Sequence, residues 1–264
     1  MRSVLYVTTL IYAALIFMFC LQSTQASEPR EKGIWCKQDA KHQLANEHKN
    51  LIVASLRRIT GFEQLDFASN GAMYLGENIS SATGSLVARK ILQQVIDSGS
   101  EIIIEDHPNS PLVNFGQLDE GTHYEDLANR KKFTIWRVRI DFNDFRAMQS
   151  SREVRETFDP GITVLHEFLH SLEHKDPTHF GNIGECEAII NQVRTELGMP
   201  LSDNYHGVPL MQISNQAVIV RMQFRERIEA VSKITMPAKW KIHYMVFLMT
   251  MNDKTSSALV GLRK

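Results

Sequence analysis

Cysteine is nearly missing from this chain, with three in 264 residues and no two in a Cys-x-x-Cys pair. That spacing excludes both a cysteine-rich structural zinc site and a dithiol redox motif. Net charge is nearly missing too, at −1 from 29 basic and 30 acidic residues, so nothing electrostatic argues for nucleic acid. There is no fixed-period repeat and no low-complexity segment, which sets aside solenoids, propellers and compositionally biased tails. What remains is ordinary globular composition, 43% apolar and 22% charged, sufficient for one good core or two small ones.

The amino terminus is a different material. Arg2 gives a positive start, Val4 to Leu21 carries no charge, and Gln22-Ser-Thr-Gln-Ala26 turns polar with small residues. This reads as a secretory signal peptide over residues 1–26, cut after Ala26, with one domain over 27–264 and a secreted or periplasmic address. An uncleaved membrane anchor stays open, because an apolar run of 18 residues is near the lower limit for spanning a bilayer. Cleavage leaves Cys36 and Cys186, which can form one disulfide or stay as two buried thiols. Neither reads as a zinc ligand.

Ten residues organise the rest: Thr163-Val-Leu-His-Glu-Phe-Leu-His-Ser-Leu172. Positions four apart share a helix face, so His166 and His170 can aim both imidazoles at one metal ion. Glu167 lies about 100° round the helix, where it can take a proton from a water at the metal's open position. The flanking residues are uncharged, as a helix buried in an enzyme core requires. The pattern points to Zn²⁺-dependent hydrolysis, with Asp159 as helix cap and Pro160 at the first helical position.

A catalytic zinc usually has a third protein ligand. Glu187 is the favoured candidate, opening a following helix (185–197) with Asn191 one turn on to orient it or His166. Asp176, where the chain leaving the pentad helix can fold back, and Glu185 remain open. Glu173 fits an outer position supporting the ligands, while His174 and His179 read as solvated. Tyr205 or His206, in a loop further on, can donate a hydrogen bond to the oxyanion that peptide hydrolysis generates.

Amphipathic helices are expected near 51–58, 86–96 and 214–234, and strands at 101–105 and 133–142. Residues 109–129 read as polar loop, and 242–251 are ambiguous. The strand from Ile135 to Phe142 is the candidate cleft edge, where an extended peptide could add by strand pairing, unless it is an interior strand. The fold class is α+β: a zincin-like domain whose small mixed sheet packs on the pentad helix, with a mainly helical C-terminal part.

Thr83-Gly84 before the 86–96 helix, then His166-Glu-Phe-Leu-His170, Asn191-Gln-Val-Arg-Thr-Glu-Leu-Gly-Met-Pro200 and Tyr205, resemble the NleD-type bacterial effector metallopeptidases. The resemblance covers about residues 80–210. It implies a zinc endopeptidase acting on another cell's proteins; the exported leader departs from a type III effector, so host-kinase cleavage is not carried over. The expected partner is a protein or peptide substrate, with no nucleic acid, no stable membrane association once the leader is cut, and an open oligomeric state. A membrane-tethered envelope peptidase and an inactive zinc-bound binding module are the alternatives.

Overall fold

A computed structural model describes residues 32–36, 42–76, 83–126, 131–179, 182–205, 207–214, 217–228 and 239–250. The expected leader and His206 lie outside the described residues. The first elements are β1 (Gly33–Trp35), α1 (Asn46–Thr60), β2 (Asp66–Phe67), β3 (Met73–Tyr74), α2 (Leu86–Asp97), β4 (Glu101–Asp106), β5 (Gly116–Asp126) and β6 (Lys131–Ile140). There follow α3 (Phe142–Ala147), β7 (Gln149–Ser150), α4 (Arg152–Thr157), α5 (Pro160–Ser171) and α6 (Glu185–Glu196). The chain closes with β8 (Leu201–Ser202), β9 (Val208–Ser214), β10 (Ala217–Ile228) and β11 (Lys239–Thr250). No helix among the described residues is long and apolar enough to cross a membrane.

The first sheet runs β1-β4-β6-β5, parallel through β6 and antiparallel at its edge strand β5. β4 is buried along its whole length, which suits its Ile102-Ile-Ile104 run in a parallel sheet. α5 packs on β5 and β6 and on α1, α2 and α6, so the pentad helix sits at the centre of the main core.

Two expectations about this sheet are corrected. β6 is an interior strand between β4 and β5, so it is not the cleft edge. The edge is β5, in a stretch expected to be loop. Its sequence, Gly-Gln-Leu-Asp-Glu-Gly-Thr-His-Tyr-Glu-Asp, has little apolar alternation because much of it faces solvent, and its register slips between Asp119 and Thr122. The pairing to β6, not a hydrophobic period, makes it a strand.

The C-terminal part is also corrected: it is β-sheet, not mainly helix. β10 pairs with β11 along its full length, and β7, β8 and β9 add at the sides, all antiparallel. Val218, Val220, Met222 and Phe224 point inward at a period of two, with Arg221, Gln223, Arg225 and Arg227 at the alternate positions. Apolar Ala217 and Ile219 fall off that alternation and blur it toward a helical stripe, which the strand pairing overrides. The described chain is thus an α+β fold with two principal sheets.

Candidate metal centre

α5 starts where Asp159 caps it, its carboxylate accepting from Ile162 N at 2.9 Å, with Pro160 in the first turn. The same carboxylate accepts from Ser55 Oγ and Arg58 Nη2 of α1, both at 2.6 Å. Every residue from Gly161 to Leu169 is buried, including His166 and Glu167 at 5% and 4% exposure. Burial of such groups is costly unless each finds partners, so the partners decide what the site is.

The helix end supplies them. Leu172 ends α5 and Glu173 turns left-handed at φ 70°. Glu173 N then donates to His170 O and His174 N to Leu169 O, the paired bonds of a Schellman turn. This turn presents the His174 carbonyl to His170 Nδ1 at 3.0 Å and brings the chain back, so that Asp176 faces the helix. Asp176 Oδ1 lies 3.1 Å from His166 Nε2, and Oδ2 lies 2.9 Å from His170 Nε2. One carboxylate therefore spans the point at which both imidazoles converge.

Glu167 points toward the edge strand and accepts from Leu118 N at 2.7 Å. The strand can come this close because residue 116 is glycine. A Cβ there would sit 2.4 Å from Thr163 Cγ2 and 3.2 Å from Glu167 Oε1. Tyr205 stacks flat on His166 with ring centres 4.8 Å apart, and its hydroxyl bonds to Asp176.

Electrostatics follow from that packing. Burial alone would lower His166, but Asp176 and Glu187 outweigh it and hold the imidazole up at about 10. His170 is raised by Asp176 in the same way, against its burial. Asp176 is drawn well below the usual carboxylate range by the two imidazoles, despite burial. Burial raises Glu167 above its ordinary value even beside those imidazoles and the Leu118 N–H. The Tyr205 hydroxyl is pushed well up by burial and by the surrounding carboxylates, so it stays protonated. Acceptors crowd both imidazoles, and a surplus of acceptors is what a cation needs. His166, His170, Asp176 and Cys186 bring ligand atoms within 4.8 Å of one another and could hold a metal ion.

Comparisons with protein-family models, curated proteins and solved structures return no match for this chain. The chemistry has to be argued from the site itself.

The expected residues fall out differently around it. Glu187 does not face the convergence point. Its Oε2 is 3.6 Å from His166 Nδ1, the opposite ring nitrogen, and Oε1 accepts from Arg194 Nη1 at 2.5 Å. Glu187 is held low, at about 2, because Arg194 and then His166 overcome its burial. Asp176 occupies the place expected of Glu187, because the Schellman turn folds it back over the helix end. Glu185 lies out at the surface side, 3.8 Å from the His174 ring and accepting from Lys175 N at 3.2 Å. Glu173 is exposed and serves the turn through its backbone; His179 is exposed. Asn191 brackets Ser202 of β8, donating to its carbonyl at 2.8 Å and accepting from its N–H at 2.9 Å. It reaches Glu187 only through Arg194 Nη1, at 2.9 Å. Cys36 and Cys186 are both buried free thiols, Cys186 with its sulfur 3.6 Å from His170 Nδ1.

Arg194 was missed. It is fully buried, with Nη1 on Glu187 and its guanidinium over the Phe224 ring at 5.7 Å. The signal was present: an arginine seven residues after Glu187 sits on the same face of α6. Gly116 and the Leu118 N–H were missed with their strand.

Proposed function

We propose that this chain is an exported zinc-dependent endopeptidase of zincin type, related to the NleD-type metallopeptidases, with His166, His170 and Asp176 holding the metal. The observation that carries it is Asp176 facing both Nε2 atoms, while each Nδ1 faces an acceptor of its own, His174 O or Glu187. Donors around a four-coordinate zinc stand about 3.3 Å apart; His166 Nε2 lies 3.1 Å from Asp176 Oδ1 and His170 Nε2 lies 2.9 Å from Asp176 Oδ2. Ligating histidines are characteristically held by an acceptor at the other nitrogen, the part played here by His174 O and Glu187. Cys186 Sγ lies on the Nδ1 side of His170, 3.6 Å away, so the set at the two Nε2 atoms is two imidazoles and one carboxylate, which leaves a tetrahedral position open as in a catalytic rather than structural zinc.

Zinc bound there would supply Lewis acidity, polarising a peptide carbonyl and acidifying a water. Glu167 is the general base. Leu118 N–H fixes its Oε2, Oε1 is left to take the water's proton, and burial lifts its basicity above that of an ordinary carboxylate. The same carboxyl then returns the proton to the leaving amine. Tyr205, whose hydroxyl donates to Asp176, would turn that proton to the developing oxyanion once Asp176 serves the metal, a role suited to a phenol that burial keeps protonated. The free edge of β5 runs past Glu167 and offers backbone groups to an extended peptide. An export leader with an endopeptidase site fits an enzyme working on proteins outside the cell that makes it.

The test compares wild type with Glu167→Gln for zinc content and for hydrolysis of a generic unfolded protein. Both should bind one zinc per chain, and the variant should hydrolyse about 10²–10⁴-fold more slowly. Undiminished hydrolysis by the variant would overturn the mechanism. The secreted protein's amino terminus should be Ser27; retained Met1 would remove the export leader from the proposal.

A further inference from the structure

A cavity of about 360 Å³ opens beside Glu167, between α5 and the C-terminal sheet. Its far wall is apolar, formed by Phe115, Phe158, Met222, Phe247 and Met249. Phe115 meets both Phe158 and Phe247 edge-on with ring centres 4.9 Å apart, so the wall is well packed rather than loose. The volume is within the range of small-ligand sites and ample for the largest side chains.

The polar part of the lining is unusual. Gln117, Thr163 and Arg194 all line this cavity, and Gln117 Oε1, Thr163 Oγ1 and Arg194 Nη2 are buried without a hydrogen-bond partner among the described residues. Buried polar groups are nearly always paired, so three unpartnered side chains among the residues of one cavity wall mark a site shaped for something that enters it. Arg194 decides what that is. Its Nη1 already donates to Glu187 at 2.5 Å, so its charge is balanced and Nη2 lacks an acceptor, not a counter-ion. A second carboxylate would enter a buried space that already holds Glu167, Asp176 and Glu187. A lysine or arginine would meet Arg194 and an apolar wall.

We propose that this cavity is the side-chain pocket of the peptidase site, selecting a long uncharged residue that flanks the cleaved bond and carries a neutral acceptor for Arg194 Nη2. Glutamine is the type case: its methylenes lie along the phenylalanine and methionine wall, its amide oxygen accepts from Arg194, and its amide N–H groups can donate to Gln117 Oε1 or Thr163 Oγ1. The selectivity rests on the peptidase reading, since the residue is defined by the bond next to it, but the pocket can be read out by binding alone.

The experiment uses the full zinc-loaded protein and one peptide scaffold, with Gln, Leu, Glu, Lys or Ala placed at either residue flanking the bond. At one of the two positions kcat/KM should be about tenfold or more higher for Gln than for Glu, Lys or Ala, with Leu between. Peptide affinity for Glu167→Gln, measured by calorimetry, should follow the same order. Met222→Trp, which fills the cavity, should bring the Gln-to-Ala ratio down to about 1. The double variant Glu187→Leu/Arg194→Met removes donor and counter-charge together, and should erase the advantage of Gln over Leu while keeping that of Leu over Ala. Two variants by different routes guard against one failing to fold, which thermal melts will reveal. Cleavage with no preference at either position overturns the pocket and leaves the peptidase standing. Absent cleavage with Gln-selective binding overturns the peptidase reading and supports the pocket. Absent cleavage with indiscriminate binding overturns both.

Discussion

Asp176 and Glu187 both stand beside His166, but on opposite nitrogens, and substitution should separate their roles. Asp176→Ala removes the carboxylate shared by both Nε2 atoms and should abolish stoichiometric zinc at micromolar metal. Glu187→Gln leaves those three donors in place. It should weaken zinc only about 10–100-fold, as loss of a group behind a ligand does, and it should also destabilise the fold by about 3–5 kcal/mol because Arg194 is left buried without its counter-charge. Equal loss of zinc in both would put Glu187 back among the ligands. The same groups make the metal-free protein's stability depend on pH in a defined window. His166 rises from 6.5 to about 10 on folding, so its contribution is whole below pH 6.5 and drains away as pH climbs toward 10. Glu187 falls from 4.5 to about 2, so its contribution is present above pH 4.5 and is lost as pH drops toward 2. Melting temperature in chelator should therefore be highest between about pH 4.5 and 6.5 and decline on both sides. A melting temperature still rising at pH 8 would contradict the arrangement of charges around His166.

Single elements carry their own consequences. The turn after α5 uses Glu173 in the left-handed region, where glycine is the usual occupant. Because the Glu173 side chain is exposed, Glu173→Gly should relieve that strain and stabilise the protein by about 1 kcal/mol, read from a denaturant midpoint, without lowering activity. Gly116→Ala should act in the opposite sense. Its Cβ would meet Thr163 Cγ2 at 2.4 Å, so β5 must draw back, taking the Leu118 N–H away from Glu167. The proposed peptidase activity should fall about 10²-fold or more, since small misplacements of a general base are that costly. These elements also show what could be read in advance. The pentad helix was legible because period, cap and first-turn proline agree. On sequence alone the fold-back of Asp176 ranks below Glu187, because the turn that produces it lacks the glycine that announces a Schellman motif. β5 was invisible since a wet edge strand shows no alternation, and with it went Gly116 and the donor that holds Glu167. β10 carries its alternation from Val218 to Phe224, yet off-phase Ala217 and Ile219 and the long apolar-rich span of 214–234 favour the helical reading.

At the scale of the whole molecule, the block that carries the family resemblance works as a joint between the two halves. Asn191 grips Ser202 of β8, Arg194 rests on Phe224 of β10, and Glu196 accepts from Ser85 Oγ at 2.5 Å at the start of α2. α6 is thus bonded to the N-terminal helices at one end and to the C-terminal sheet along its side. The sheet is consequently part of the protein's core rather than an appendage. Met222, Phe224 and Met245 are buried to 2%, 0% and 0% exposure, and each large core side chain removed costs about 2–5 kcal/mol. Together they match the whole stability of an ordinary domain, about 5–15 kcal/mol. A chain ending at Gly207 keeps His166, Glu167, His170, Asp176 and Tyr205, and would remain active if the zinc site were self-sufficient. It should instead lose cooperative thermal unfolding and its near-ultraviolet dichroism, and bind zinc far more weakly, because Glu187 and Arg194 lose the sheet that covers them. A truncated chain that melts cooperatively within about 5 °C of the full protein would show that the sheet is dispensable for the fold and leave it only the wall of the cavity.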